Sequence, residues 1–419
     1  YVQTDDNNVD AVIFAKCDLT LNGTGSLTVK DNTGHGIVSK DDLVVTGGTY
    51  TIYSQDHCLN GKDSVRIADG TFNLSCDEDG IHAGNDDQQD GYVYIEGGDI
   101  NISVGDDAIH AEGLLIITGG DIDVSKSCEG VEGDKILVTG GDIDVISSDD
   151  GFNAAGGSSG SGDNHDGFGD SSGSGDNHDG FGGGPGMDGV DMDADSDAYI
   201  LITGGTININ ADGDGIDSNG CIGITGGSVY VLGSSDNGNG AMDYGICAAI
   251  TGGEIVAVGG SGMAQGFGDE STQCSALVNF DEWVDAGETI TLTDSDGKEV
   301  LSYRVDKKFN SVVISTSDMK QGETYTLTVG DQSSTFTLDD ITYSEGSGGM
   351  QRPGGNLDNG GMQRPGGNSD DGNMQRPGGN SDDGNMQRPD GDSDNGQNDS
   401  ANGSSQNKDN SSSSDSMSI

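Results

Sequence analysis

Proline, tryptophan and basic residues are scarce in this chain of 419 residues: five Pro, one Trp, and 17 Lys and Arg against 73 Asp and Glu. With a formal net charge of −56, the surface repels nucleic acid unless cations stand between them. No run approaches the roughly eighteen apolar residues of a membrane-spanning helix, so no membrane insertion is expected. The seven cysteines, at 17, 58, 76, 128, 221, 247 and 274, form no Cys-x-x-Cys pair, which argues against a zinc ribbon or thioredoxin-type site. They read mostly as small buried apolar groups, with at least one thiol left over. Glycine is abundant at 75 residues, and each Gly in a helix costs about 1 kcal/mol against Ala, so a helical protein is disfavoured. The chain opens on Tyr1, as expected of a processed product.

Internal repeats dominate what is present. Leu43–Ile52 (LVVTGGTYTI) recurs as Val65–Leu74, Val93–Ile102, Leu115–Val124, Ile136–Val145, Ile200–Ile209, Ile222–Val231 and Ala249–Val258. The glycines closing the bend fall at 48, 70, 98, 120, 141, 205, 227 and 253, a unit of about 22 residues with insertions. Two runs of alternating apolar residues flank each bend. A third short stretch follows: Gly80-Ile-His-Ala83, Ala108-Ile-His-Ala111, Gly130-Val-Glu-Gly133, Gly151-Phe-Asn-Ala154, Gly215-Ile-Asp-Ser218. Three short strands per repeat predict an all-β, right-handed parallel β-helix over 1–279. Its inward columns are Val45/Ile67/Ile95/Ile117/Val138/Ile202/Ile224, Tyr50/Phe72/Ile100/Ile122/Ile143/Ile207/Val229 and Ile37/Leu59/Ile81/Ile109/Val131/Phe152/Ile216.

Three segments depart from the pattern. Residues 156–197 are a Gly/Ser/Asp insertion with an internal duplication, read as a flexible loop. It holds His165 and His178, to which no role falls. Residues 280–345 read as a small antiparallel β subdomain capping the last rung, with strands at 289–293, 300–305, 311–315, 324–329 and 334–338. Residues 346–419 carry Met-Gln-Arg-Pro every 12 residues and otherwise Ser, Asn and Asp, a disordered tail. That tail holds 11 acids and 5 bases, a charge of −6, so −50 of the total −56 belongs to residues 1–345, the repeats, insertion and cap together.

Much of that charge is positional. Acids recur just before the third strand: Asp56-His57, Asp77-Glu78-Asp79, Asp106-Asp107, Cys128-Glu129, Asp149-Asp150, Asp212-Gly-Asp214 and Asp243-Tyr244. Equal phase on a β-helix means stacking about 4.8 Å apart. Like charges at that spacing repel by about 1 kcal/mol in water and several at an effective dielectric near 20. Ca²⁺, which takes roughly six to eight oxygen ligands in irregular geometry, relieves the repulsion. The metal candidates are therefore Asp77, Glu78, Asp79, Asp106, Asp107, Glu129, Asp149, Asp150, Asp212 and Asp214. The competing account is a solvated acidic turn held by Asx hydrogen bonds. A second acidic ladder, Asp99/Asp121/Asp142 with Asn101/Asp123/Asp144, faces outward and is flatter. The run Asp191–Asp197 opens like an EF-hand loop but places Ile202 where the bidentate Glu belongs. His82 and His110 read as a surface polar ladder with Glu132, Asn153 and Asp217, since imidazole suits a hard-cation site poorly.

The units TGGDIDV…SDDGFNA and DEDGIHAGND…VYIEGGDINIS resemble the secreted clostridial carbohydrate-binding β-helix family. The resemblance spans about residues 1–345. It implies a calcium-containing extracellular or cell-surface β-helix that binds cellulose or polygalacturonate, with a fold like that of Ca²⁺-dependent pectate lyases. Calcium would be structural and could bridge ligand carboxylates, which a −56 protein otherwise repels. A polysaccharide partner and a monomer are expected. Ligand-binding candidates are Arg66, Tyr94, His82 and His110, with Tyr94 in an outward column beside Arg66, Ile116, Leu137 and Leu201. Trp283 reads as packing at the junction with the cap. Two other classes stay open. A polysaccharide lyase needs a base and a cation, yet Lys40, Lys62, Arg66, Lys126 and Lys135 show no motif, and no catalytic residue is assigned. A structural or adhesive surface protein also fits the repeats and tail.

Overall fold

Short β-branched runs punctuated by glycine fold as strands. The computed structural model describes residues 9–30, 33–84, 91–154 and 197–345, and among these it contains thirty strands and no helix. None of them therefore supplies a helix able to cross a membrane. The repeats coil into a parallel β-solenoid of about nine turns with about 23 residues each. Each full turn lays a strand on three faces in order. The first face carries strands such as Ser64–Ile67 and Tyr92–Ile95, the second Thr71–Ser75 and Asp99–Ser103, the third Leu59–Gly61 and Ile81–Ala83. Successive turns pair in parallel, so that Ile67 lies against Ile95, Ile95 against Ile117, Ile117 against Val138 and Val138 against Ile202.

That register puts like residues on like, and the alternation of each strand turns every second side chain inward. All three expected inward columns are buried. Two more join them: Leu43/Val65/Val93/Leu115/Ile136/Ile200/Ile222 on the first face and Ile52/Leu74/Ile102/Val124/Val145/Ile209/Val231 on the second. Burying a Val, Leu or Ile side chain contributes about 1.5–3 kcal/mol, and this continuous stack forms the main core. The bend between first and second faces needs glycine on two counts. Gly205 has φ +94°, and a Cβ there would lie 2.9 Å from the Gly141 carbonyl oxygen one rung away.

The last parallel strand, Cys247–Gly259, is closed by a strand running the other way. Phe309–Ser315 pairs antiparallel with it, Ile255 opposite Ser315 and Gly259 opposite Ser311, and on its other edge with Ser275–Val284. Residues 311–315, expected among the strands of the cap, thus belong to the solenoid sheet. The separate antiparallel sheet has the order Glu299–Arg304, Thr289–Asp294, Thr324–Val329, Gln332–Thr337. It packs over a second core that includes Ile290, Leu292, Leu327, Phe336 and Phe309. The insertion from 156 to 196 and the tail from 346, expected to be flexible and disordered, lie outside the described residues.

The cysteines divide. Cys221 and Cys247 face each other on adjacent rungs and form a disulfide. Cys58, Cys76 and Cys274 are buried thiols, whereas Cys17 is exposed and Cys128 partly so.

Candidate functional site

The turn from the second face to the third builds a buried polar seam. Backbone bonds from Gly80 N to Asp107 O, Ala108 N to Glu129 O, Gly130 N to Asp150 O and Gly151 N to Asp214 O put these acids in one column. His35 and His57 stand at its head, Gly36 N–H donating to the His57 carbonyl oxygen, and His57 Nδ1 accepts from the backbone N–H of Asp79 at 3.2 Å. The acids repeat that bond: Asp107 N–H donates to Asp79 Oδ1 (3.0 Å), Glu129 N–H to Asp107 Oδ1 (3.2 Å), and Asp214 N–H to Asp150 Oδ1 (2.7 Å). One oxygen of each capping carboxylate is thus spent on the next rung. These bonds join successive rungs rather than closing the local Asx turns expected of a solvated turn, and Asp79, Asp107 and Glu129 are only 3%, 7% and 5% exposed.

A second column runs three residues on. Asn60, His82, His110, Glu132, Asn153, Asp217 and Asp243 lie in register, so the expected ladder of His82, His110, Glu132, Asn153 and Asp217 is present. It is half-buried rather than a surface feature, and it faces the acids. Around His110 Nδ1 stand Glu132 Oε2 at 3.4 Å, Asp107 Oδ2 at 3.5 Å and Asp79 Oδ2 at 3.7 Å. Asn153 Nδ2 donates to Glu129 Oε2 at 2.9 Å. At the other end the rings of His57 and His82 stack with centroids 4.3 Å apart, and the buried His82 Nδ1 has no hydrogen-bond partner.

Buried charge without a counter-ion shifts these groups. Burial, then Asp107, pushes Glu129 up to about 8. Burial, then the hydrogen bond and charge of Glu132, pushes Asp107 up to about 9. Asp214 rises to about 8 and Asp150 to about 6, burial leading in both. Glu78 rises to about 7 through burial and the charges of Asp56 and Asp79. Burial alone would lower His110, but its hydrogen bond to Asp79 and the charges of Glu132, Asp79 and Asp107 raise it to about 10. Burial lowers His57 to about 4 and His82 to about 3.

Among the described residues, five groups of three bring ligand atoms within 4.8 Å of one another: His35/His57/Glu78, His57/Asp79/His82, Asp79/Asp107/His110, Asp107/Glu129/Glu132 and Asp150/Asp214/Asp217. The last two offer oxygen alone and fit a hard divalent cation. The first three mix imidazole with carboxylate, which suits borderline ions better. Of the ten acids singled out from the sequence, Glu78, Asp79, Asp107, Glu129, Asp150 and Asp214 enter these groups. Asp77, Asp106, Asp149 and Asp212 point to solvent instead, and Asp212 pairs with Lys307 Nζ at 3.0 Å. The outward ladder Asp99/Asp121/Asp142 is in register and exposed, and joins none of them.

Sequence reasoning aligned His57 with the acids but missed His35 one rung before it, and missed Glu132 and Asp217 as partners of the acids. The available signal was phase: His35 precedes Ile37 by the same two residues that separate Asp79 from Ile81. It also misplaced Asp243. The register sets Met242 opposite Ile216, so Asp243 stacks on Asp217. The acid's position at that rung is taken by Gly240, to whose carbonyl oxygen Gly215 N–H donates.

On the first face the outward column of Val44, Arg66, Tyr94, Ile116, Leu137 and Leu201 is in register as expected. Arg66 is fixed by Asp42 Oδ2 at 3.2 Å and lies over the Tyr92 ring, 5.1 Å from its centroid. Tyr94 and its aliphatic neighbours are half-exposed and make an apolar strip along the solenoid axis.

Residues 1–166 match a family model described as "Carbohydrate-binding domain-containing protein". A protein of Acetivibrio thermocellus with the same description is 39% identical over 132 residues, 30% of this chain and 46% of that protein. The chain thus spans under half the length of that relative. No solved structure matches.

Proposed function

We propose that the chain binds plant cell-wall polysaccharide, cellulose or a uronate-rich glycan, along the first face of its solenoid, and that calcium held in the seam stabilises that solenoid outside the cell. One observation carries the reading: the segment resembling the carbohydrate-binding family, residues 1–166, builds the apolar strip from Arg66 to Leu137 and the buried acids from Asp79 to Asp150. Residues Arg66, Tyr94, Ile116, Leu137 and Leu201 repeat at the rung spacing and offer an extended sugar chain a line of apolar contacts with one cation at its end. Asp107, Glu129 and Glu132 would hold one calcium ion and Asp150, Asp214 and Asp217 another, each ion offsetting the mutual repulsion of its carboxylates.

The test is retention of the full chain on insoluble cellulose and on polygalacturonate, with calcium and with EDTA, alongside its melting temperature in both. Retention on at least one polymer and a lower melting temperature in EDTA are expected. Tyr94→Ala should weaken retention about tenfold, or about 1.4 kcal/mol, without moving the melting temperature. Absence of retention on both polymers refutes glycan binding. An unchanged melting temperature in EDTA refutes the role of calcium.

A further inference from the structure

The junction between solenoid and cap holds a cavity that neither the seam nor the first face uses. Strand Ser275–Val284 follows Phe309–Ser315 as far as Asn279 opposite Ser311, then slips so that Val284 faces Phe309. Four residues, 280 to 283, therefore oppose Asn310 alone. Bulges of this kind re-aim side chains, and here they line a cavity of about 280 Å³ with Asn237, Ser261, Asn279, Asp281, Trp283 and Asn310. Trp283, expected as junction packing, is half-buried in this wall. Lys308 Nζ lies 4.9 Å from its ring centroid. Asn310 Oδ1 is held by the Ser261 N–H at 2.7 Å. Asn279 differs: its Nδ2 and Oδ1 are both buried and neither has a partner. A buried amide left unmade on both sides is costly and points to a ligand that completes it.

We propose that this cavity is a saccharide subsite for one neutral pyranose ring. The Asn279 amide presents a donor and an acceptor side by side, which pairs with vicinal hydroxyls. The accessible lining of the cavity is almost wholly polar, so hydrogen bonds carry the recognition and the indole stands in the wall beside them. Asp281 accepts a further hydroxyl and disfavours a sugar carboxylate. The inference takes its ligand class from the carbohydrate reading above, but not its site.

Trp283 is the single tryptophan of the chain, so its emission reports on this cavity directly. The full chain is titrated with glucose, xylose and galacturonate, and retention on cellulose and polygalacturonate is measured in parallel. A saturable emission change with a neutral sugar is expected, at least tenfold weaker with galacturonate. Asn279→Leu should abolish it while melting no lower than the parent, because it removes the unpaired amide. Should that variant not fold, Trp283→Phe followed by saturation-transfer NMR serves instead, with loss of sugar contact expected. Silent emission with retention intact overturns the subsite and spares the polysaccharide reading. Saturable emission without retention supports the subsite and overturns that reading. Stronger binding of galacturonate, or an undiminished response in Asn279→Leu or Trp283→Phe, overturns the proposal.

Discussion

Glu129→Gln separates a cation seam from a merely acidic turn, because the sign of its effect should invert with calcium. Glu129 is 5% exposed and its carboxyl is pushed from an ordinary 4.5 up to about 8. A carboxyl raised on folding stabilises the fold only while protonated. Its contribution is complete below the unfolded value and is lost as pH climbs toward 8. At pH 7 the folded carboxyl is still largely protonated while the unfolded one is ionised, and holding that proton about 2.5 units above the unfolded value costs the cation-free protein about 3 kcal/mol. Glutamine keeps an acceptor for Asn153 Nδ2 and removes the charge. In EDTA at pH 7 the variant should therefore be more stable by about 3 kcal/mol, and the gain should shrink to near zero at pH 4.5. In saturating calcium it loses a ligand and should be less stable than the parent. Urea denaturation followed by circular dichroism, at both pH values and with both additives, reads all four numbers. A variant that is destabilised alike in EDTA and in calcium would refute the reasoning.

Other outcomes follow from the same geometry. His110→Gln removes the imidazolium shared by Asp79, Asp107 and Glu132 and should cost about 3 kcal/mol in EDTA by urea denaturation. Since His110 is raised from 6.5 to about 10, that loss should be full below pH 6.5, persist in part at pH 8 and vanish as pH reaches about 10. Gly205→Ala meets the Gly141 carbonyl at a positive φ and should lower the melting temperature, by more than 1 kcal/mol in stability. Reducing the disulfide, which closes 26 residues between Cys221 and Cys247, should cost about 3 kcal/mol in a denaturation series with and without reductant.

The fold was legible because a solenoid writes its register into the chain. Ile67, Ile95, Ile117 and Val138 sit at one phase of the repeat, and nothing but stacking would keep them there. The acid column was legible for the same reason, but its depth was not. Alternation says which way a strand residue points, whereas Asp79 and Asp107 lie in a turn, where their burial depends on rungs above and below. The imidazoles were undervalued because each rung was judged by its own residue types. His110 gains its place from Asp79 on the rung before, Asp107 on its own and Glu132 on the rung after. Asp243 was misplaced because the stretch after Leu232 lengthens the turn and shifts the apparent step. Trp283 was read as packing because a strand pattern gives no warning of a four-residue slip. The disulfide was equally hidden, since Cys221 and Cys247 become neighbours only through the register.

The reversed strand at the end of the solenoid limits how this architecture can change in length. Phe309–Ser315 occupies the edge that a further parallel turn would need. Growth or shrinkage at this end must therefore happen inside the coil, by whole rungs, as duplication or deletion of the genetic segment that encodes one. Asp121 already lies opposite Asp142. Excising residues 121–141 would bring Asp142 into the place Asp121 held, under Asp99, and shorten the coil by one turn while leaving its closing strand where it is.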